Sequence, residues 1–458
     1  MTDEMPPDPG GSPSTEPARE PTVDPRRPPD PTVAALRGQR NPVRVFAAIL
    51  GPGLVTGASD DDPSGIGTYA QAGAAFGYAT LWTTLVMLPM MISVQYICAK
   101  IGLVSGRGLG GVLREHYPRW VLYPAVISLV VANTINAGVD IGAIAAAVSL
   151  FVPIRAIVFV VPISVGIVAL QVFGTYRSIA RVFRWLAMAL LAYIAAALLS
   201  RPDWGDVLRG TFVPTIQLTP QYIGILVALL GTTISPYLFF WQANQEVDEQ
   251  IAMGRGRLWQ RQGASRTELR YALADTVTGM VFSEVVAYFI ILASGATLYA
   301  AGQHDASSAT ELAQALRPVA GDLSVALLAV GLIGAGVLAV PVLPASAAYG
   351  VSEAFGWRSG LNHGLGRAPQ FYTVIGLATI AGMSIDLLGI DPIAALVATA
   401  VINGLLAAPL LVLVMLVSND RRVMGERTNG RRLNLLGWGT TAVMAVAAIA
   451  LVVITIVG

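Results

Sequence analysis

GPGLVTGASDDDPSGIGTYAQAGAAFGY, residues 51–78, carries three consecutive carboxylates, Asp60, Asp61 and Asp62, in the middle of an apolar run. Pro63, Ser64 and Gly65 follow at once. A charged residue at the centre of a membrane helix costs at least about 2.5 kcal/mol. Three of them facing lipid would not insert. Proline removes a backbone donor, and Gly65 and Gly67 loosen the chain nearby. The stretch therefore predicts a helix that opens at the carboxylates. Opened backbone at this depth is tolerated only where it lines a cavity enclosed by protein.

Composition supports the membrane setting. Of 458 residues, 54% are hydrophobic and 12% are charged, where a soluble protein carries about 25% charged residues. So few charges cannot cover a globular surface, which excludes an ordinary cytosolic enzyme, a disordered protein and a nucleic-acid binder. The formal net charge of +1 provides no field to attract a polyanion. The single cysteine, Cys98, excludes a disulfide framework or a Cys-based metal cluster. No GxxxxGK[ST], GxSxG or HExxH template is present, so neither an ATP-driven pump nor an enzyme is indicated. His116, His304 and His363 fall in connections and form no metal-ligand spacing.

Residues 1–40 form a Pro-rich, charged segment that cannot bury enough apolar surface to offset its ordering entropy. It is read as a disordered cytoplasmic tail. From 41 to 458 the chain is a transmembrane domain of about eleven spans, each near the ~20 residues that cross hydrocarbon as a helix. They lie near 43–76, 78–105, 120–148, 153–174, 178–200, 220–243, 272–300, 322–349, 370–387, 391–417 and 434–457. Arginines gather in the connections after the even-numbered spans, for example Arg107, Arg114 and Arg119, then Arg255, Arg257 and Arg261. Positive charge stays on the cytoplasmic side, so the amino terminus is expected inside and the carboxyl terminus outside. Pro341 and Pro344 should distort the eighth span.

The sixth span, GILVALLGTTISPYLFFWQANQ at 224–245, has the same character as the first. Its centre holds Gly231, Thr232, Thr233, Ser235, Pro236 and Tyr237. Five spans separate the two interruptions, an odd number, so the second unit is inverted. Interrupted helices at matching places in successive five-helix units signal an inverted-repeat secondary transporter with its site near the midplane. The repeats are read as 41–205 and 218–418, with 430–458 as the eleventh helix. Carboxylates, opened carbonyls and hydroxyls are hard ligands that suit Mg²⁺, Ca²⁺ or Mn²⁺.

GPGLVTGASDDDPSG resembles the first-helix signature of the Nramp-type divalent metal transporters. YAQAGAAFGY (69–78), REHYPR (114–119) and SNDRRVMGERTNGRRLNLLGW (418–438) are also similar to segments of that family. The resemblance implies a LeuT-type fold, all-α with a 5+5 inverted repeat and eleven helices, and proton-coupled uptake of divalent metal. It also implies that Asp62 is the metal-binding aspartate, that Ser59 and Thr232 offer backbone carbonyls, and that Asp140 lies on the proton path. This chain departs from the family at Gly65, where an Asn is expected, and at Ser235-Pro236-Tyr237, where the family has MPH. Two further acidic positions of its third helix are Asn133 and Ala143 here.

The departures remove thioether and imidazole groups and keep oxygen. The candidate metal residues are thus Asp62, Asp61, Ser59, Thr232, Ser235 and Gly65, the last by leaving room for water around a hydrated ion. Asp140 and Glu284 are the candidate proton carriers, with Asp275 as a further acid near the cytoplasmic end of the seventh span. Asn403 in the tenth span is a polar candidate near the metal. No permanent cofactor is expected. The implied partners are the lipid bilayer of the plasma membrane and a transported dication, Mg²⁺ or Mn²⁺. Two other readings remain open: a carrier of organic cations or amino acids on the same fold, and a non-transporting sensor that uses its tail. Three carboxylates would repel an amino-acid carboxylate.

Overall fold

The computed structural model describes residue 28 and residues 51–152, 154–173, 193–306, 309–317, 321–361, 363–389 and 391–457. The expected tail lies outside these residues apart from Pro28, as does most of the expected fifth span. All regular structure among the described residues is helical. Among the described residues seven helices are long and apolar enough to cross a membrane, and an eighth, shorter apolar helix covers Ile157–Phe173.

The first expected span is two helices, α1 (Pro52–Asp60) and α2 (Pro63–Phe76). Then come α3 (Trp82–Ser105), α4 (Leu109–His116), α5 (Arg119–Ser149) and α6 (Ile157–Phe173). A short amphipathic helix, α7 (Trp204–Phe212), buries Val207 and exposes Trp204, Leu208 and Phe212. The sixth span is likewise split, into α8 (Pro220–Thr233) and α9 (Pro236–Ala252). The second unit continues with α10 (Arg266–Thr297), α11 (Ser324–Ala339), α12 (Val342–Phe355), α13 (Pro369–Asp386) and α14 (Pro392–Asn419), and α15 (Arg431–Val457) ends the chain.

Two helices run further than their apolar text. Helix α10 starts at Arg266 because Ser265 and Glu268 form a reciprocal capping box at its N-terminus. Helix α9 continues to Ala252 because its polar residues find partners inside the protein: Gln242 donates to Glu246 at 3.0 Å, and Asp248 accepts from the Tyr349 hydroxyl at 2.6 Å. The eighth span divides between Ala339 and Val342, at Pro341, as its prolines lead one to expect.

Small residues set how the split helices are held. A Cβ added to Gly57 of α1 would sit 2.2 Å from the Gly279 carbonyl oxygen of α10. A second contact of this kind joins α3 and α9, where a Cβ on Gly102 would sit 2.3 Å from the Ala243 carbonyl oxygen. Close backbone approach of this kind is how helices associate in lipid, where burial of apolar surface supplies no driving force. Each repeat thus grips the split helix of the other.

Candidate cation site

The two interruptions share one backbone course. The C-cap of α1 is Asp61 (φ −81°, ψ 54°) and that of α8 is Ile234 (φ −113°, ψ 60°). The next residue is extended in both: Asp62 (φ −69°, ψ 170°) and Ser235 (φ −80°, ψ 139°). Proline then opens the second half in each case. Proline fits the first position of a helix because its missing N–H would have had no partner there.

The breaks face one another. The Tyr237 hydroxyl donates to the Ser59 carbonyl at 2.9 Å. Tyr69 and Thr233 pair through their hydroxyls at 3.2 Å. A Cβ on Gly65 would lie 3.2 Å from Thr232 Oγ1 and 3.3 Å from the Asp60 carbonyl oxygen. The Thr232 hydroxyl itself has no partner among the described residues. Helix α14 backs this junction, where Gly231 meets Ala400 and Gly404 at backbone distance. Asn403, next to Gly404, is buried with its amide nitrogen unpartnered.

Asp62 is buried and caps α2. Its Oδ1 accepts from Ser64 Oγ and from the Gly65 amide, both at 2.7 Å, and its Oδ2 accepts from Asn136 Nδ2 at 2.9 Å. Asn136 also reaches Asp140 Oδ2 at 3.4 Å, while Asp140 Oδ1 accepts from the Ser64 amide at 3.1 Å. Asp140 is therefore one side chain removed from Asp62, on α5. Asn136 and Ser64, which make this link, were not assigned a role from the sequence. The signal was their spacing: Asn136 precedes Asp140 by one helical turn.

Asp60 and Asp61 turn the other way, toward α10. The Ser283 hydroxyl lies 2.7 Å from Asp60 Oδ2 and 3.2 Å from Asp61 Oδ1. A hydroxyl has one proton to give, so it satisfies one of them at a time. The remaining oxygens, Asp60 Oδ1 and Asp61 Oδ2, have no donor among the described residues, and neither does either oxygen of buried Glu284. Asp61, expected among the metal residues, therefore shares its donor with Asp60 and shares none with Asp62. Ser283 is also a residue that sequence reasoning passed over; its only signal was its place beside Glu284. Asp275 holds the N-terminus of α1, accepting from the amides of Gly51, Gly53 and Leu54 at 2.6–3.1 Å.

The carbonyls expected as ligands both carry a hydroxyl. Ser59 receives Tyr237 as above, and Ser235 Oγ lies 2.7 Å from the Thr232 carbonyl and 2.6 Å from that of Gly231. The site is thus one carboxylate amid carbonyls and hydroxyls. Among the described residues no three His, Cys, Asp or Glu side chains converge as metal ligands.

Comparison with known proteins agrees with this architecture. The family model described as Nramp, natural resistance-associated macrophage protein-like, matches residues 53–454. The divalent metal cation transporter MntH of Deinococcus radiodurans is 27% identical over 427 residues, covering 91% of this chain and 92% of that protein. The fold is shared with the Eremococcus coleocola manganese transporter, solved with an aromatic bis-isothiourea compound: TM-score 0.71, 18% identity, 90% of this chain and 87% of the other covered. It is shared more distantly with MhsT, solved with L-phenylalanine: TM-score 0.55, 13% identity, 88% and 97% covered. The LeuT-type all-α architecture expected from the sequence is the one observed.

Proposed function

The chain belongs to the Nramp family, a family of transporters and not of enzymes, and from that premise we propose that it carries a hard divalent cation across the plasma membrane by alternating access. Asp62 anchors the ion. The carbonyls of Ser59 and Thr232 and the hydroxyl of Ser235 complete the oxygen set, Gly65 leaves space for retained water, and Asp61 supplies negative charge from behind. The observation that carries this reading is the meeting of two opened helices around one buried carboxylate, with hydroxyl and carbonyl oxygens as its neighbours.

The absence of sulfur and imidazole at Ser235 and Tyr237 favours Mg²⁺ or Mn²⁺ over softer metals. Mg²⁺ dehydrates reluctantly and keeps waters in its sites, which suits Gly65 and Ser235. The inside-negative potential contributes about 2.3 kcal/mol per charge per 100 mV, so import of a dication can run without protons. If protons are coupled, Asp140 is the first acceptor beyond Asp62 through Asn136, and Glu284 is the second buried acid. The arginine distribution supports a cytoplasmic amino terminus and an outer carboxyl terminus.

Flux of Mg²⁺, Mn²⁺ and Ca²⁺ into proteoliposomes, with and without a pH gradient, tests the reading when wild type is set beside Asp62→Asn. Uptake of Mg²⁺ or Mn²⁺ that collapses in the variant is expected. Cd²⁺ or Fe²⁺ uptake without Mg²⁺ would overturn the hard-ion assignment. Uptake of an organic cation with indifference to dications would favour the organic-solute alternative.

A further inference from the structure

The connections after the second, sixth and eighth spans meet around a cavity of about 590 Å³ at the arginine-bearing end of the bundle. Four arginines line it, Arg107, Arg114, Arg261 and Arg358, together with three acids, Glu115, Asp248 and Glu353. Each acid is already engaged. Glu115 pairs with Arg107 at 2.8 Å. Glu353 accepts the amides of Gly108 and Gly111 at 2.9 and 3.1 Å. Asp248 holds the Tyr349 hydroxyl. Arg261 donates to the carbonyls of Gly106, Arg255 and Gly256.

Arg114 and Arg358 are different. Neither enters an ion pair among the described residues. The Arg114 guanidinium lies over the turn that ends α12: a Cβ on Gly356 would meet its Nη1 at 1.9 Å. Arg358 is two residues further on. Asp248 and Glu353 are held by neutral donors and pair with neither, so the cavity presents two guanidinium groups unpaired among the described residues, which is the recognition chemistry of a phosphate.

The rim of the same cavity is aromatic and exposed. Trp357 lines the cavity and stacks on Phe355 at 5.0 Å and 19°. Phe355, 53% exposed, stacks in turn on Tyr123 of α5 at 6.1 Å and 29°. Trp120, beside Arg119, is 76% exposed. Aromatic side chains of this kind sit at headgroup level. A soluble anion would use the cavity alone. The ladder Trp357–Phe355–Tyr123 leads away from it along α5, and that is a surface for an acyl chain.

We propose that this cavity binds the headgroup of an anionic phospholipid, with the phosphate on Arg114 and Arg358 and an acyl chain along the aromatic ladder. The site joins α4 of the first repeat to α9 and α12 of the second, so its occupant also stabilises the assembled bundle. The proposal is independent of which ion is transported.

The test uses the full chain in nanodiscs of mixed phosphatidylglycerol and phosphatidylcholine, with retained lipid weighed by native mass spectrometry and unfolding followed by heating. Wild type retains phosphatidylglycerol over phosphatidylcholine and melts higher in its presence. Arg114→Gln and Arg358→Gln each lower the enrichment about fivefold, and Arg358→Lys keeps most of it. Raised salt erodes the enrichment in wild type as well. Equal retention of the two lipids by wild type, or enrichment indifferent to the Gln variants, overturns the proposal. So does displacement of the lipid by inorganic phosphate or ATP at concentrations that bind equally well in phosphatidylcholine alone, since that assigns the cavity to a soluble anion.

Discussion

The two helix breaks have the same backbone and use their side chains in opposite directions. At the first, Asp62 reaches forward, accepting the Gly65 amide and the Ser64 hydroxyl of the half-helix it begins. At the second, Ser235 reaches backward, its one hydroxyl proton shared between the carbonyls of Gly231 and Thr232 in the half-helix that has just ended. A carboxylate can only accept, so it belongs at the amide end of a helix, where the dipole favours negative charge. A hydroxyl can donate, so it can quiet the carbonyl end. The pseudo-symmetric pair therefore divides the work: one break supplies the charge, and the other supplies neutral oxygens.

That division can be broken by experiment. Asp62→Asn removes the carboxylate that caps α2 at the junction of the breaks, and flux of the preferred dication should fall by about 100-fold or more; a loss under tenfold would mean that Asp60 or Asp61 serves in its place. Asn136→Ala releases Asp62 from α5 and separates it from Asp140. Its flux should drop about tenfold, and any pH dependence of transport should weaken with it. Ser235→Met adds a thioether to the second break, and competition assays should record a several-fold rise of Cd²⁺ over Mg²⁺. Ser235→Ala merely frees two carbonyls from one neutral hydrogen bond, so the same assay should register a change of about threefold or less. If Ser235→Ala proves as damaging as Asp62→Asn, the asymmetry between the breaks is wrong.

A second contrast lies within the DDD run itself. Asp62 has three donors, whereas Asp60 and Asp61 share the single hydroxyl of Ser283. Three consecutive residues in an apolar stretch look equivalent as text. They differ because the chain turns sharply at Asp61, so Asp62 faces α5 and the other two face α10. The motif announced charge at the midplane, and only the neighbouring helices sort it into a well-held carboxylate and a pair with unpartnered oxygens.

Other elements divide in the same way. The opened first and sixth spans, their matching positions and the distortion at Pro341 were legible because glycine, proline and clustered polar residues interrupt apolar runs for local reasons. The full reach of α9 was not, because Gln242, Asn244 and Asp248 look like the end of a span until Thr56, Glu353 and Tyr349 are brought beside them. The fifth expected span, 178–200, lies outside the described residues except for its end, 193–200, of which 193–199 are helical.

The amino-acid order by itself determined that this chain lives in a bilayer, folds as two inverted units, and opens one helix in each. Those are consequences of solvation and backbone chemistry, which act residue by residue. Tertiary structure alone decided which carboxylate is held, by which amide and hydroxyl, and that Tyr237 closes on Ser59. Hydrogen bonds between residues far apart in the chain depend on where helices cross, and that depends on the glycine contacts that let α1 lie against α10 and α9 against α3.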